Sequence, residues 1–248
     1  MIYNYRAKDV YYRWINKGKS CPIVLLHGWG VDSSIFSDIL SFFPEKTFLI
    51  LDFPPFGKSE KEIEGWNIFS YVGLVISLLD FLEIAECHLL GHSFGGRIAI
   101  ILSAVKSDIV KSCVLVDSAG MKPKRTLCFR IKKISYKIKK KMNKDVSKYG
   151  SPDYQKLPQN MKKTFQSIVN TYLEDYAEKM VSKTLIVWGK EDKETPLYMA
   201  KRLNKLIRNS QLKIVDNAGH FPFLECKFVF NEILENFWEG LWFICLQF

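Results

Sequence analysis

No window of the chain holds about 18 consecutive apolar residues, so nothing in it reads as a membrane-spanning helix. Met1-Ile2-Tyr3-Asn4-Tyr5-Arg6 lacks the long apolar stretch of a secretory signal. Cysteines are scattered, at 21, 87, 113, 128, 226 and 245. There is no C-x-x-C pair and no metal-like spacing with histidine. A disulfide scaffold or zinc site is therefore not expected, and the thiols read as reduced, in a cytoplasmic protein. No phosphate loop and no metal-ligand set is present, so no cofactor is expected. Internal repeats are absent, and there are only 4 histidines.

What is there suffices for one large domain. The 248 residues are 48% hydrophobic and 14% aromatic, which supports a sizeable core and argues against disorder. The net charge of +10 is unevenly spread. Between Met121 and Gly150 stand twelve basic residues against Asp145 alone, so the rest of the chain sums to −1. That stretch reads as a solvated face, or as a surface for an acidic carrier protein or an anionic surface such as phospholipid. Nucleic acid is not expected, because no recognised binding fold accompanies the charge.

The first residues alternate aromatic and polar (Tyr3, Tyr5, Val10, Tyr12, Trp14), with a break near Lys8-Asp9. They predict an antiparallel pair at a sheet edge. Apolar runs then alternate with helical spacing. Strands are expected at 23–26, 47–52, 87–90, 113–117, 184–188 and 211–215. Helices are expected from Ser33 or Ser34 to Phe43, at 67–82, after residue 93, at 197–207 and near 229–237. This rhythm predicts a mostly parallel α/β sheet with helices on both faces. It breaks at Met121. Leu127, Ile131, Ile134 and Ile138 fit one helix stripe, and a second runs from about Gln159 through Met161, Phe165, Ile168, Val169 and Tyr172. The expected organisation is a core of 1–120 and 184–248 with a helical cap at 121–183.

The most informative stretch is Leu89-Leu90-Gly91-His92-Ser93-Phe94-Gly95-Gly96. An apolar run ends in Gly-x-Ser-x-Gly and a helical pattern follows, the setting a nucleophile elbow needs. Gly91 and Gly95 leave room where a Cβ would clash, and Gly96 lets the helix approach the strand. A serine hydroxyl is a poor nucleophile until a base takes its proton, and the base needs a carboxylate to orient it. Asp192 and His220 follow in loops after later strands, which puts all three candidate catalytic residues at one end of the sheet. Asp117 is the rival acid and Glu191 a weaker one. Asp52 reads as a structural hydrogen bonder, His27 as a brace and His88 as an ordinary strand residue. His92 and Phe221 are candidate pocket residues.

In the order His27-Gly28-Trp29-Gly30, Gly91-x-Ser93-x-Gly95-Gly96, Gly189-x-x-Asp192 and Gly219-His220-Phe221-Pro222, the chain resembles the serine-nucleophile branch of the α/β-hydrolase superfamily. The resemblance implies an oxyanion hole from the backbone N–H groups of Trp29 and Phe94. It also implies carboxylic ester hydrolysis, without metal or cofactor. One departure is Pro55, standing where the family often has glycine in Asp52-Phe53-Pro54-Pro55-Phe56-Gly57-Lys58-Ser59. The Trp29 motif and the basic stretch also resemble pimeloyl-acyl-carrier-protein methyl ester esterases. Hydrolysis of carrier-linked esters or thioesters, or of C–C bonds, is the enzymatic alternative. A protein that keeps the triad for ligand sensing or signalling is the alternative of another class.

Overall fold

The computed structural model describes residues 1–18, 20–124 and 157–245. Eight strands form one sheet: β1 (Ile2–Tyr5), β2 (Lys8–Ile15), β3 (Ile23–Leu26), β4 (Phe48–Leu51), β5 (Cys87–His92), β6 (Val110–Val116), β7 (Lys183–Gly189) and β8 (Ser210–Val215). Their order is β1-β2-β4-β3-β5-β6-β7-β8. β1 and β2 pair antiparallel, as do β2 and β4. All later pairs are parallel. The fold is thus an α/β-hydrolase fold, a mostly parallel sheet with helices.

Continuous apolar strands are explained by the pleat. Val24, Leu26, Leu49, Leu51, Leu89, Cys113, Leu115, Ile186 and Trp188 face one core, while Ile23, Leu25, Phe48, Ile50, Leu90, Val114, Val116, Leu185 and Val187 face the other. Successive residues point to opposite faces. A strand buried on both must therefore be apolar at every position. The first core is covered by α2 (Ile68–Phe81) and α3 (Phe94–Val105), the second by α1 (Ser37–Phe42) and the last helix. Four further helices complete the described chain: α4 (Gln159–Asn170), α5 (Glu174–Ala177), α6 (Tyr198–Leu206) and α7 (Pro222–Glu225), before α8 (Lys227–Cys245).

Two local expectations shift. The break in the first hairpin falls at Arg6-Ala7, both with positive φ, and Tyr5 pairs with Lys8. Asn4 and Asp9 hydrogen-bond across the pair, 2.9 Å apart, so the polar residues belong to the strand. The helix expected from Ser33 or Ser34 begins as a 3-10 turn at Ser33–Phe36 and continues as α1. Its cap is Asp32, whose carboxylate accepts from Ser34 N–H at 2.9 Å. Asn67 caps α2 in a reciprocal box with Ser70.

The break at Met121 is seen from both ends. Leu173 N–H donates to Gly120 O at 3.0 Å, so the intervening chain departs and returns at one point. The lysine-rich stripe from Leu127 to Ile138 lies outside the described residues, while the helix expected from Gln159 is α4, with Thr164 and Ile168 buried. α4 is held by Arg97 of α3. This arginine is 6% exposed and donates to Ile168 O at 2.9 Å and Thr171 O at 2.7 Å. Burial lowers its pKa to about 10. Its positive charge sits on the last carbonyls of α4, the negative end of the helix. Arg97→Met removes the charged donor from both carbonyls and leaves Ile168 O with only the Thr171 N–H at 3.2 Å. A loss of about 2–3 kcal/mol is expected, read as a Tm lower by about 4–12 °C.

Among the described residues no helix is long and apolar enough to cross a membrane. Among the described residues, Cys87, Cys113 and Cys226 are free thiols.

Candidate active site

Every parallel strand delivers a polar residue to the same edge of the sheet: His27 after β3, Asp52 after β4, Ser93 after β5, Asp117 after β6, Asp192 after β7 and His220 after β8. Carboxyl ends of parallel strands are where open α/β sheets leave a crevice.

Ser93 stands between β5 and α3 with φ 50 and ψ −108, a conformation costly for a residue with a side chain. The surrounding glycines make it possible. A Cβ on Gly91 would come within 2.6 Å of Gly95 O, one on Gly95 would overlap the Leu26 carbonyl, and one on Gly96 would overlap Ser118. Ser93 N–H donates to Val116 O at 3.0 Å, which ties the turn to the neighbouring strand. Ser93 then opens α3, whose first N–H groups have no partner inside the helix.

His220 bridges the other two residues. Its Nε2 lies 3.0 Å from Ser93 Oγ, and its Nδ1 lies 2.8 Å from Asp192 Oδ2. Asp192 is firmly held. Its Oδ1 accepts from the N–H groups of Glu194 at 2.7 Å and Thr195 at 3.0 Å, and the Thr195 hydroxyl reaches Oδ2. Buried Trp188 fixes the same loop by donating Nε1–H to Thr195 O at 2.7 Å. Burial alone would raise the Asp192 pKa, but hydrogen bonding and charge from His220, then Thr195, bring it below the usual carboxylate range.

The His27–Gly30 loop lies against the elbow: a Cβ on Gly28 would sit 3.5 Å from Ser93 Cβ. His27 braces it. Nδ1–H donates to Gly28 O at 2.7 Å, and Nε2 accepts from Phe53 N–H at 2.7 Å. Burial lowers the His27 pKa to about 4, so the ring stays neutral. Asp52 ties the next loop, accepting from Ser33 N–H at 2.9 Å and Lys58 N–H at 2.8 Å. The Pro54-Pro55 bond is cis. Beside the elbow the rings of Phe56, Phe94 and Phe165 contact the Trp29 ring edge-to-face, with centroids 4.9, 5.4 and 5.3 Å away.

Of the two candidate pocket residues, His92 turns inward, whereas Phe221 is half-buried beside His220. His92 is 1% exposed, and its Nε2 donates to the His220 carbonyl at 2.8 Å. Its pKa falls to about 3, chiefly through burial and then through His220. The Phe221 ring tilts against His92 and meets Phe223 edge-on, with centroids 4.8 and 6.0 Å away, and packs on the second core. His92 thus supports the His220 loop from behind. His88 bonds Ser112 Oγ at 2.8 Å within the sheet, and Glu191 contributes its backbone N–H to Ala218 O.

Two glutamates were not singled out from sequence. Glu225 Oε2 accepts from Gly219 N–H at 2.7 Å and Oε1 from Phe221 N–H at 2.9 Å, bracketing His220. Glu194 Oε2 approaches His220 Nε2 at 3.4 Å from the solvent side. The signal for Glu225 was its place in a short turn of helix begun by Pro222; for Glu194 there was none.

Among the described residues, Asp117, Asp192 and His220 form the one group with metal-ligand chemistry, their ligand atoms all within 4.8 Å of one another. Amide, hydroxyl and imidazole donors already occupy the Asp192 oxygens. The set suits proton handling more than cation binding.

Comparison with known proteins agrees with this architecture. The profile of the alpha/beta hydrolase family matches residues 23–232. The chain belongs to that family. It is 26% identical over 241 residues to the uncharacterized hydrolase YugF of Bacillus subtilis, covering 86% of this chain and 88% of that one. It is also 26% identical over 254 residues to a putative esterase/lipase 2 of Mycoplasma pneumoniae, covering 88% and 89%. Among solved structures it resembles a meta-cleavage product hydrolase of Pseudomonas fluorescens, with TM-score 0.75, 20% identity and coverage of 97% and 98%. A membrane phospholipase A superposes with TM-score 0.78 at 21% identity, covering 97% of this chain and 85% of that one. The chain is thus an enzyme of the α/β-hydrolase superfamily, with esterase- and lipase-like relatives.

Proposed function

We propose that this hydrolase cleaves carboxylic esters through an acyl-enzyme on Ser93. The observation that carries the reading is one imidazole within hydrogen-bond reach of both a strained serine and a buried carboxylate. His220 Nε2 takes the Ser93 proton as Oγ attacks the ester carbonyl, while Asp192 holds Nδ1–H and stabilises the imidazolium. The oxyanion rests on the N–H groups of Phe94 and Trp29, each such donor lowering the barrier by roughly 3–4 kcal/mol. The tetrahedral intermediate collapses, and the alcohol leaves with the proton from His220. Water, deprotonated by His220, then attacks the acyl-enzyme and releases the acid. The rings around Trp29 support an apolar acyl group, and the chain at 121–183 is read as its cap.

The test is hydrolysis of p-nitrophenyl esters from acetate to decanoate, with mass spectrometry after a fluorophosphonate probe. Turnover with an optimum at one chain length, and a single adduct on Ser93, are expected. A folded protein that neither turns over these esters nor takes up the probe overturns the reading.

A further inference from the structure

One buried ionisable group has no part in the relay as written. Asp117 follows β6, is 0% exposed, and has φ 42. Its backbone is fixed on three sides. The N–H donates to Val187 O at 3.1 Å, the carbonyl lies 3.1 Å from the Thr195 hydroxyl, whose proton goes to Asp192, and the side-chain Oδ1 accepts from Gly189 N–H at 3.0 Å. Oδ2 is buried with no donor facing it. Yet an oxygen of this carboxyl lies within 4.8 Å of an Asp192 carboxylate oxygen.

Two ionised carboxylates cannot share a dry site at this separation, since like charges disfavour the second ionisation. A single proton removes the repulsion and satisfies the orphaned oxygen. The donors decide which carboxyl keeps it. Asp192 accepts from two amides, from His220 and from the Thr195 hydroxyl, whereas Asp117 accepts from one amide. Asp192 is therefore the anion.

We propose that Asp117 is a positioning residue, a neutral carboxylic acid whose Oδ2–H donates to the Asp192 carboxylate and holds it against His220. The proposal rests on the reading of Asp192 as the acid of the relay. Burial, then the hydrogen bond and charge of Asp192, push the Asp117 pKa far above the carboxylate range. The other titratable groups around it are the His220 imidazole and, further off, Glu225. Glu194 approaches His220 from solvent.

The consequence for stability has a definite sign. The unfolded chain releases the Asp117 proton near its ordinary value of 3.8, while the folded protein keeps it. The contribution of Asp117 to stability is thus full below that value and is lost as pH rises towards the raised folded value. Asp117→Asn keeps the shape: its amide oxygen accepts from Gly189, its NH₂ donates to Asp192, and it does not titrate.

The experiment compares wild type, D117N, D117L and D192N. Expected is a Tm advantage of D117N over wild type that is near zero at about pH 4 and grows to pH 8. The infrared band of a protonated carboxyl at neutral pH should be present in wild type and lost in D117N. D117L should lower kcat/KM for p-nitrophenyl acetate by about 10–100-fold, with D117N restoring most of that. D192N should lose on the order of 10⁴-fold. A Tm difference between D117N and wild type that is flat with pH, no protonated-carboxyl band, or a D117N as impaired as D192N overturns the proposal. Absence of ester turnover in wild type sinks the functional reading instead, and the Tm and infrared results still decide the proton.

Discussion

Ser93→Ala is expected to fold normally and to hydrolyse p-nitrophenyl acetate about 10⁴–10⁶ times more slowly than wild type. The fold survives because alanine has the same Cβ, so the strained φ of 50 is neither relieved nor worsened. The one side-chain hydrogen bond lost is that to His220 Nε2, in a partly buried cleft. The rate collapses because the remaining groups cannot replace the nucleophile. In the proposed mechanism His220 and Asp192 act only on the proton that Oγ carries, and the N–H groups of α3 and Trp29 serve only an oxyanion that must first form. Removing one member of such a unit costs nearly as much as removing all of it. Circular dichroism of the variant beside its kcat is the check. Activity within about tenfold of wild type would move the nucleophile elsewhere.

Gly95→Ala is expected to lose about 3 kcal/mol or more, seen as a Tm lowered by at least ~6 °C or as insoluble protein. The added methyl has nowhere to go. It would overlap the Leu26 carbonyl and lie 2.8 Å from His27 O, both backbone atoms of β3 and its following loop. β3 is central, paired with β4 and β5, and wholly buried. A flexible side chain could swing aside; this strand can move only by breaking its ladders. Gly18 is the contrast. It also has a positive φ, 82, but nothing lies within 4 Å of its would-be Cβ, so alanine there should cost only about 1 kcal/mol. Equal losses at the two positions would count against steric overlap as the reason for glycine at the elbow.

Much of this architecture is local, and local features are legible in a sequence. A strand buried on both faces must be apolar throughout, so β3, β4 and β7 announce themselves. Helix spacing marks α2 and α4. Gly-x-Ser-x-Gly between an apolar run and a helix specifies a backbone shape that few residue types permit. The chain order of Ser93, Asp192 and His220, each in a loop after a strand, needs only the parallel sheet to bring them to one edge. The antiparallel edge pair is legible, but its turn is not, because Arg6 and Ala7 are not residues that favour positive φ; cross-strand pairing holds them there. The cap of the 3-10 turn was misplaced because Asp32, Ser33 and Ser34 are all good caps, and the competing demand of Asp52 on Ser33 N–H decides among them.

Other properties arise only when distant segments meet. Sequence shows a lone arginine in the apolar α3, but not the helix end 70 residues later that needs its charge. It shows His92 next to the serine, but not that the ring turns inward to carry the His220 loop. It offers both Asp117 and Asp192 as acids, since each follows a strand of the sheet. Composition and spacing dictate strands, turns and their order because these depend on neighbours a few residues apart. Which carboxyl keeps a proton, and which histidine meets the serine, depends on how many donors and how little water surround each group, and that is settled only by packing.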